Sequence, residues 1–226
     1  MEHQSKTFEV ELNELKETIL KMGWLVETAI YQSVESLKNR DKNLAKNIIK
    51  GDVDIDKIEL EINEKCINLI ALQQPKASDL RFVTTAMHIA TDLERIGDLA
   101  EDIAERTIEL AEQPLLKPLI DIPKMAKLSQ EALKMTLEAF INSDTNKIKG
   151  IWNKEREIDR LRDLVHDELV ALMIKDSTVV TRAIPLLLVS RHLERISDHA
   201  TNIAEDVIYM VEAKVVKHSG GAKGDN

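Results

Sequence analysis

The stretch beginning at Asp92, DLERIGDLAEDIAE, returns 100 positions later from His192 as HLERISDHATNIAE. A chain that writes the same pattern twice is constrained to fold as two similar units, because equal patterns of apolar positions specify equal packing. The rest of the sequence repeats as well. At an offset of 103, Met22 maps to Met125, Leu25 to Leu128, Ala29 to Ala132, Glu35 to Glu138, Asn39 to Asn142, Asp41 to Asp144 and Ile55 to Ile158. The offset falls to 100 by Glu94 and Glu194, so three residues are missing from the second copy's last connection.

Each copy contains three segments with the 3.6-residue apolar period of an amphipathic helix. In the first copy these run from about Phe8 to Lys38, Leu44 to Leu72 and Lys76 to Glu112. With 7 Gly, 5 Pro and 3% aromatic residues among 226, the chain favours helix over strand. The predicted fold is therefore all-α: two three-helix bundles in tandem, built from six long helices with internal pseudo-symmetry. The predicted divisions are a first bundle over 1–113, a linker over 114–123 marked by Pro114, Pro118 and Pro123, a second bundle over 124–217 and a disordered tail over 218–226. Pro185 inside the sixth segment predicts a kink or a helix start there.

The single cysteine, Cys66, lies at an apolar helical position and reads as a core residue, which fits a reducing cytoplasm. Neither a signal peptide nor a membrane span is legible. A formal net charge of -9 argues against nucleic-acid binding and for cations and basic protein surfaces as partners.

The acids are spaced for chemistry. Residues four apart on a helix lie about 40° from each other, so Glu94 and Asp98 share a face, as do Asp52 and Asp56 on the preceding helix. The repeat supplies Glu194 with Asp198 and Glu155 with Asp159. Where neighbouring helices bring such pairs together, each bundle offers four carboxylates, an oxygen set suited to Fe, Mn, Mg or Ca. Glu101 and Asp102 extend the first set, while the second copy places Thr201 and Asn202 at those positions. The bland alternative is a solvated acidic face, which is what most such pairs are. It is weakened because Glu94 has no Lys or Arg three or four positions away. Residues 52–63 begin like a calcium loop but carry Lys57 where Gly is needed and Asn63 where the bidentate Glu belongs. A ferritin-like di-iron site would need Glu-x-x-His on two helices, and only Asp163 with His166 approaches that. His88, His192 and His199 have no ligand spacing with one another.

The pieces QQPKASDLR from Gln73 to Arg81, DLERIGD from Asp92 to Asp98 and HLERISD from His192 to Asp198 resemble the PhoU family of phosphate-transport regulators, over about Phe8 to Val216. The resemblance implies tandem three-helix bundles whose acid-x-x-x-Asp motifs bind metal, here Asp52, Asp56, Glu94 and Asp98, then Glu155, Asp159, Glu194 and Asp198. It further implies a cytoplasmic, non-enzymatic negative regulator of phosphate uptake and of the phosphate-starvation response. Such a protein contacts the ATPase of the phosphate ABC transporter and a sensor histidine kinase, and meets the membrane only through those partners. A homodimer is expected. The second copy's TRAIPLLL lacks the Asp79-to-Arg81 signature, so its site is the less certain match. Two other functions stand against this one, a helical scaffold without metal and, more distantly, a carboxylate-bridged metalloenzyme.

Overall fold

A computed structural model describes residues 2–216, with side chains from residue 8 onward. The expected tail at 218–226 lies outside the described residues. Six long helices form the fold: α1 (Glu2–Asn39), α2 (Lys42–Gln73), α3 (Ser78–Leu110), α4 (Asp121–Asn142), α5 (Ile151–Lys175) and α6 (Val180–Glu212). Helices α1 to α3 pack on one another as one bundle and α4 to α6 as the second. Among the described residues there is no strand, and no helix is long and apolar enough to cross a membrane.

The repeat extends to the turns. Arg40 and Ser143, 103 residues apart, both adopt a left-handed conformation after the first helix of their copy, and each is followed by an aspartate. Asp41 accepts hydrogen bonds from the backbone N–H groups of Asn43 and Leu44, which caps α2. Asp144 accepts from the N–H of Asn146. There the copies part. In the second, Asp144 starts only a 3-10 turn over Thr145–Ile148, and Gly150 at φ 91° redirects the chain before α5 begins. Such a φ suits a residue without a Cβ.

The two bundles are joined along two antiparallel seams. In the first, the Gln130 side chain donates to the backbone oxygen of Glu27 at 3.1 Å, and the Leu137 side chain lies over Gly23. Glu27 and Gln130 are repeat equivalents, so a pseudo-two-fold axis passes between them. The second seam, α3 against α6, is the more extensive. It carries three His–Asp pairs, His88 with Asp206 at 3.3 Å, His199 with Asp92 at 2.8 Å and His192 with Asp102 at 3.6 Å. Partners descend along α6 as they ascend along α3, which centres this seam near Ile96 and Ile196. The histidines that showed no spacing in sequence are thus ties between helices. Arg81 adds another, donating from Nε to the backbone oxygen of Met210 at 3.0 Å.

Burial across these seams merges the bundle interiors. One apolar cluster runs from Leu15 and Ile19 of α1 through Leu93 and Ile96 of α3 to Leu193 and Val207 of α6. The pseudo-symmetry is that of two bundles, while the core is continuous. Cys66 is buried in it, and burial pushes its thiol up to about 12, so it behaves as an inert small apolar residue.

Two prolines sit where helices tolerate them. Pro123 falls in the first turn of α4, whose N–H groups have no partner within the helix. Pro185 does not start α6. The helix begins at Val180, continuing a 3-10 turn over Ser177–Val179, so the proline removes only a bond to its first turn and is itself buried.

Leu99, one helical repeat along α3 from Asp92, is buried on the face turned to α6. Its truncation to Ala should cost about 2–5 kcal/mol, and because the core is continuous the loss should lower one cooperative melting transition. Calorimetry showing two transitions, with only one displaced, would mean that the bundles unfold independently.

Candidate metal centre

Helices α2 and α3 approach closely at Gly97. A Cβ built there would lie 3.1 Å from Asp52 Oδ1 and 3.1 Å from Ile55 Cδ1, so the absent side chain is what leaves room for Asp52 beside α3. Apolar packing holds the helices in this register, with Ile55, Ile58 and Ile62 of α2 and Ala90, Leu93 and Ile96 of α3 buried on the inner side. Their acids are consequently pressed together on the outer side.

Two three-oxygen sets result. One carboxylate oxygen each from Asp52, Asp98 and Glu101 lies within 4.8 Å of the others, and so does one each from Asp56, Glu94 and Asp98. Asp98 belongs to both. All four residues expected in the first bundle are thereby brought together, and Glu101 completes the second triad. Asp102 is turned elsewhere, to His192 on the bundle seam.

The electrostatics record the crowding. Burial, with the charges of Glu101, Asp56 and Asp98 around it, pushes the Asp52 carboxyl up to about 7. A hydrogen bond joins it to Glu101, whose own carboxyl is raised by burial and by the charges of Glu105, Asp98 and Asp102. Burial and Asp98 raise Glu94, with Arg95 opposing and Glu59 and Asp56 adding to the rise. Among the described residues the cation paired with these acids is Arg95, 3.2 Å from Asp98 and 3.5 Å from Glu94, and it is more than half exposed.

Glu59 is the residue that spacing alone overlooked. It lies three positions beyond Asp56 and one turn before Asn63, whose amide it accepts at 3.2 Å together with the Thr91 hydroxyl at 3.3 Å. The clue in sequence is its repeat equivalent at the offset of 103, which is Arg162.

That exchange changes the second bundle. Glu155, Asp159 and Glu194 are near enough to Asp198 that, with burial as the larger cause, they push its carboxyl up to about 6. Among the described residues, however, no three of these acids converge as in the first bundle. Arg162 approaches Glu194 at 3.9 Å and Arg191 at 3.5 Å, where the first copy has Glu59 and Thr91. Ser197 replaces Gly97, buried with no hydrogen-bond partner for its hydroxyl among the described residues. Thr201 stands in place of Glu101, also buried, and Asn202 is exposed beside it. Two arginines, a serine and a threonine thus stand where the first copy has Glu59, Thr91, Gly97 and Glu101.

An all-oxygen, acid-rich set fits a hard or borderline cation such as Mg, Mn, Ca or Fe. A bound cation would supply positive charge that lets every carboxylate ionise. Without one, the folded Asp52 keeps its proton up to about pH 7, whereas an unfolded aspartate releases it near ~3.9. The metal-free fold therefore loses stability as pH rises from about 4 through about 7, and this group removes no more above that range. Melting of metal-free protein at pH 5 and pH 8 should show a smaller drop for Asp52→Asn than for the unaltered chain. Equal drops would assign the pH dependence to other groups.

The model of the PhoU domain matches residues 19–107 and again 122–207, one match in each bundle. The phosphate-specific transport system accessory protein PhoU homolog of Aquifex aeolicus is 43% identical over 92% of this chain and 94% of its own length. PhoU of Escherichia coli K12 is 30% identical over 99% of this chain and 92% of its own. The crystal structure of PhoU from Pseudomonas aeruginosa superposes with a TM-score of 0.88 at 34% identity, covering 92% of this chain and all of that one. That of the phosphate transport system regulatory protein PhoU from Streptococcus pneumoniae gives 0.86 at 32% identity over 93% and 99%.

Proposed function

The chain belongs to the PhoU family, and from that membership we propose that it is a metal-binding regulator that holds phosphate uptake and the phosphate-starvation response in check. Its role as an accessory protein of phosphate transport, rather than an enzyme, is the one its relatives' names carry. The partners of the proposal are the ATPase of the phosphate ABC transporter and a sensor histidine kinase, met in the cytoplasm, with the membrane reached only through them. The chain acts as a homodimer.

One observation carries the metal reading: Asp98 is shared by two convergent carboxylate triads, with the carboxyl of Asp52 raised to about 7 beside it. Solvated acids on a helix face spread apart, whereas these are held together by the core behind them. Asp52, Asp56, Glu94, Asp98 and Glu101 form the principal site. Glu155, Asp159, Glu194 and Asp198 form a weaker one, which a cation fills only in competition with Arg162 and Arg191 at Glu194. The metal's part is structural. It neutralises the crowded face and fixes α2 on α3, so the acidic surface shown to a basic partner depends on whether the site is filled.

Two measurements test this. Added Mn should raise the melting temperature of the unaltered protein, and Glu94→Gln with Asp98→Asn should abolish the rise, while a scaffold without metal would show none in either. In the cell, deletion of the gene should leave the phosphate-starvation genes on in high phosphate, and the double variant should restore repression poorly. A normally repressed response in the deletion strain would count against the regulator reading.

A further inference from the structure

Helix α2 packs only on α1 and α3, which leaves its outer face open. Along that face Val53, Leu60 and Ile67 stand seven residues apart, 52%, 65% and 57% exposed. On an α-helix this spacing keeps them within about 20° of one line. The line runs opposite Ile55, Ile58 and Ile62, which face the core. Three evenly spaced branched apolar side chains on the solvent side of one helix form a seam without a partner.

The internal repeat provides a control within the same chain. Offset by 103, α5 has Arg156 and Asp163 in place of Val53 and Leu60, while Ile67 has an apolar equivalent in Val170. The buried positions agree, Ile55 with Ile158 and Ile58 with Leu161, so folding alone does not require the apolar residues on the outer face of α2.

Resting on the homodimer reading above, we infer that the outer face of α2 is the dimer contact, paired antiparallel with α2 of a second copy about a two-fold axis at Leu60. Self-complementarity selects this occupant. In that register Leu60 meets the second copy's Leu60, Val53 meets the second copy's Ile67, and partly buried Ile49 meets the second copy's Ala71. To one side of the line, Lys57 comes level with the second copy's Glu64, and the two-fold repeats that pair. Lys57 and Glu64 are both exposed, and among the described residues Lys57 pairs with Asp54 of its own helix, at 2.9 Å. The same operation on α5 would set Asp163 against its own copy, so the repeat carries its own bar to the alternative pairing. Asp56, of the metal set, borders this contact, which places the cation site beside the dimer seam.

Sedimentation and crosslinking of the full chain test the inference. The unaltered protein should dimerise at about micromolar concentration, as suits a contact at the small end of stable interfaces. Leu60→Asp, on the exposed face and therefore compatible with folding, should weaken the dimer at least about 100-fold by setting two carboxylates on the axis. Leu60→Cys should link to itself under mild oxidation, since native Cys66 is buried and does not compete. Val53→Cys alone should not link, because its two copies would stand about 20 Å apart, whereas Val53→Cys with Ile67→Cys should. A monomer at all concentrations would overturn both the homodimer reading and this contact. A dimer indifferent to Leu60→Asp would overturn the contact and leave the homodimer standing. Linking by Val53→Cys alone would overturn the antiparallel register. A monomeric protein in which Leu60→Asp nonetheless abolished regulation in the cell would assign the face to a different partner.

Discussion

Two triads of carboxylates sharing Asp98 are held within reach of one another by apolar packing on the far side of the same two helices. Their mutual repulsion is a local loss that the core outweighs, and Gly97 sets how close the helices come. The consequence is the raised carboxyl of Asp52, with Glu101 and Glu94 raised beside it. A fold of this kind stores an unfavourable charge arrangement at a defined place, which is how binding of an ion can be coupled to the shape of a surface.

The duplicated architecture lets one chain keep two versions of that arrangement. Both copies bury the same kind of core and are joined about a pseudo-two-fold axis, marked by Glu27 beside Gln130. Their outer surfaces have diverged. Glu59 and Thr91 in one become Arg162 and Arg191 in the other, and both arginines approach Glu194. An arginine is a permanent cation that no change in metal supply removes. The second bundle thus carries compensation at positions where the first has Glu59 and Thr91. The apolar line on the outside of α2 follows the same division at two of its three positions, where α5 has Arg156 and Asp163.

Much of this was legible before the structure. Apolar periodicity located all six helices, and the offsets of 103 and 100 identified the two bundles, because burial repeats wherever the apolar pattern does. The repeat also paired Asp41 with Asp144, though their role as caps emerged only from the structure. Acid pairs four residues apart identified the members of the first cluster. What stayed hidden depended on other helices. The spacing of Glu194 and Asp198 says nothing of Arg162, which arrives from α5, and the three histidines acquire meaning only against Asp92, Asp102 and Asp206 across the seam. Helical periodicity reports which face is buried but not what covers it, so two separate cores and one continuous core read alike. The 3-10 turn before α5 was missed because Gly150 breaks a pattern that its repeat equivalent, Asn47, continues.

Anomalous diffraction from crystals soaked in Mn would test the account most directly, because it locates the ion without reference to stability or activity. The expected result is a peak against the Asp98 carboxylate between α2 and α3, with a weaker peak or none beside Glu194 and Arg162. A second-bundle peak equal to or stronger than the first, or no peak at Asp98, would contradict the claim that the crowded carboxylates of the first bundle are the cation site.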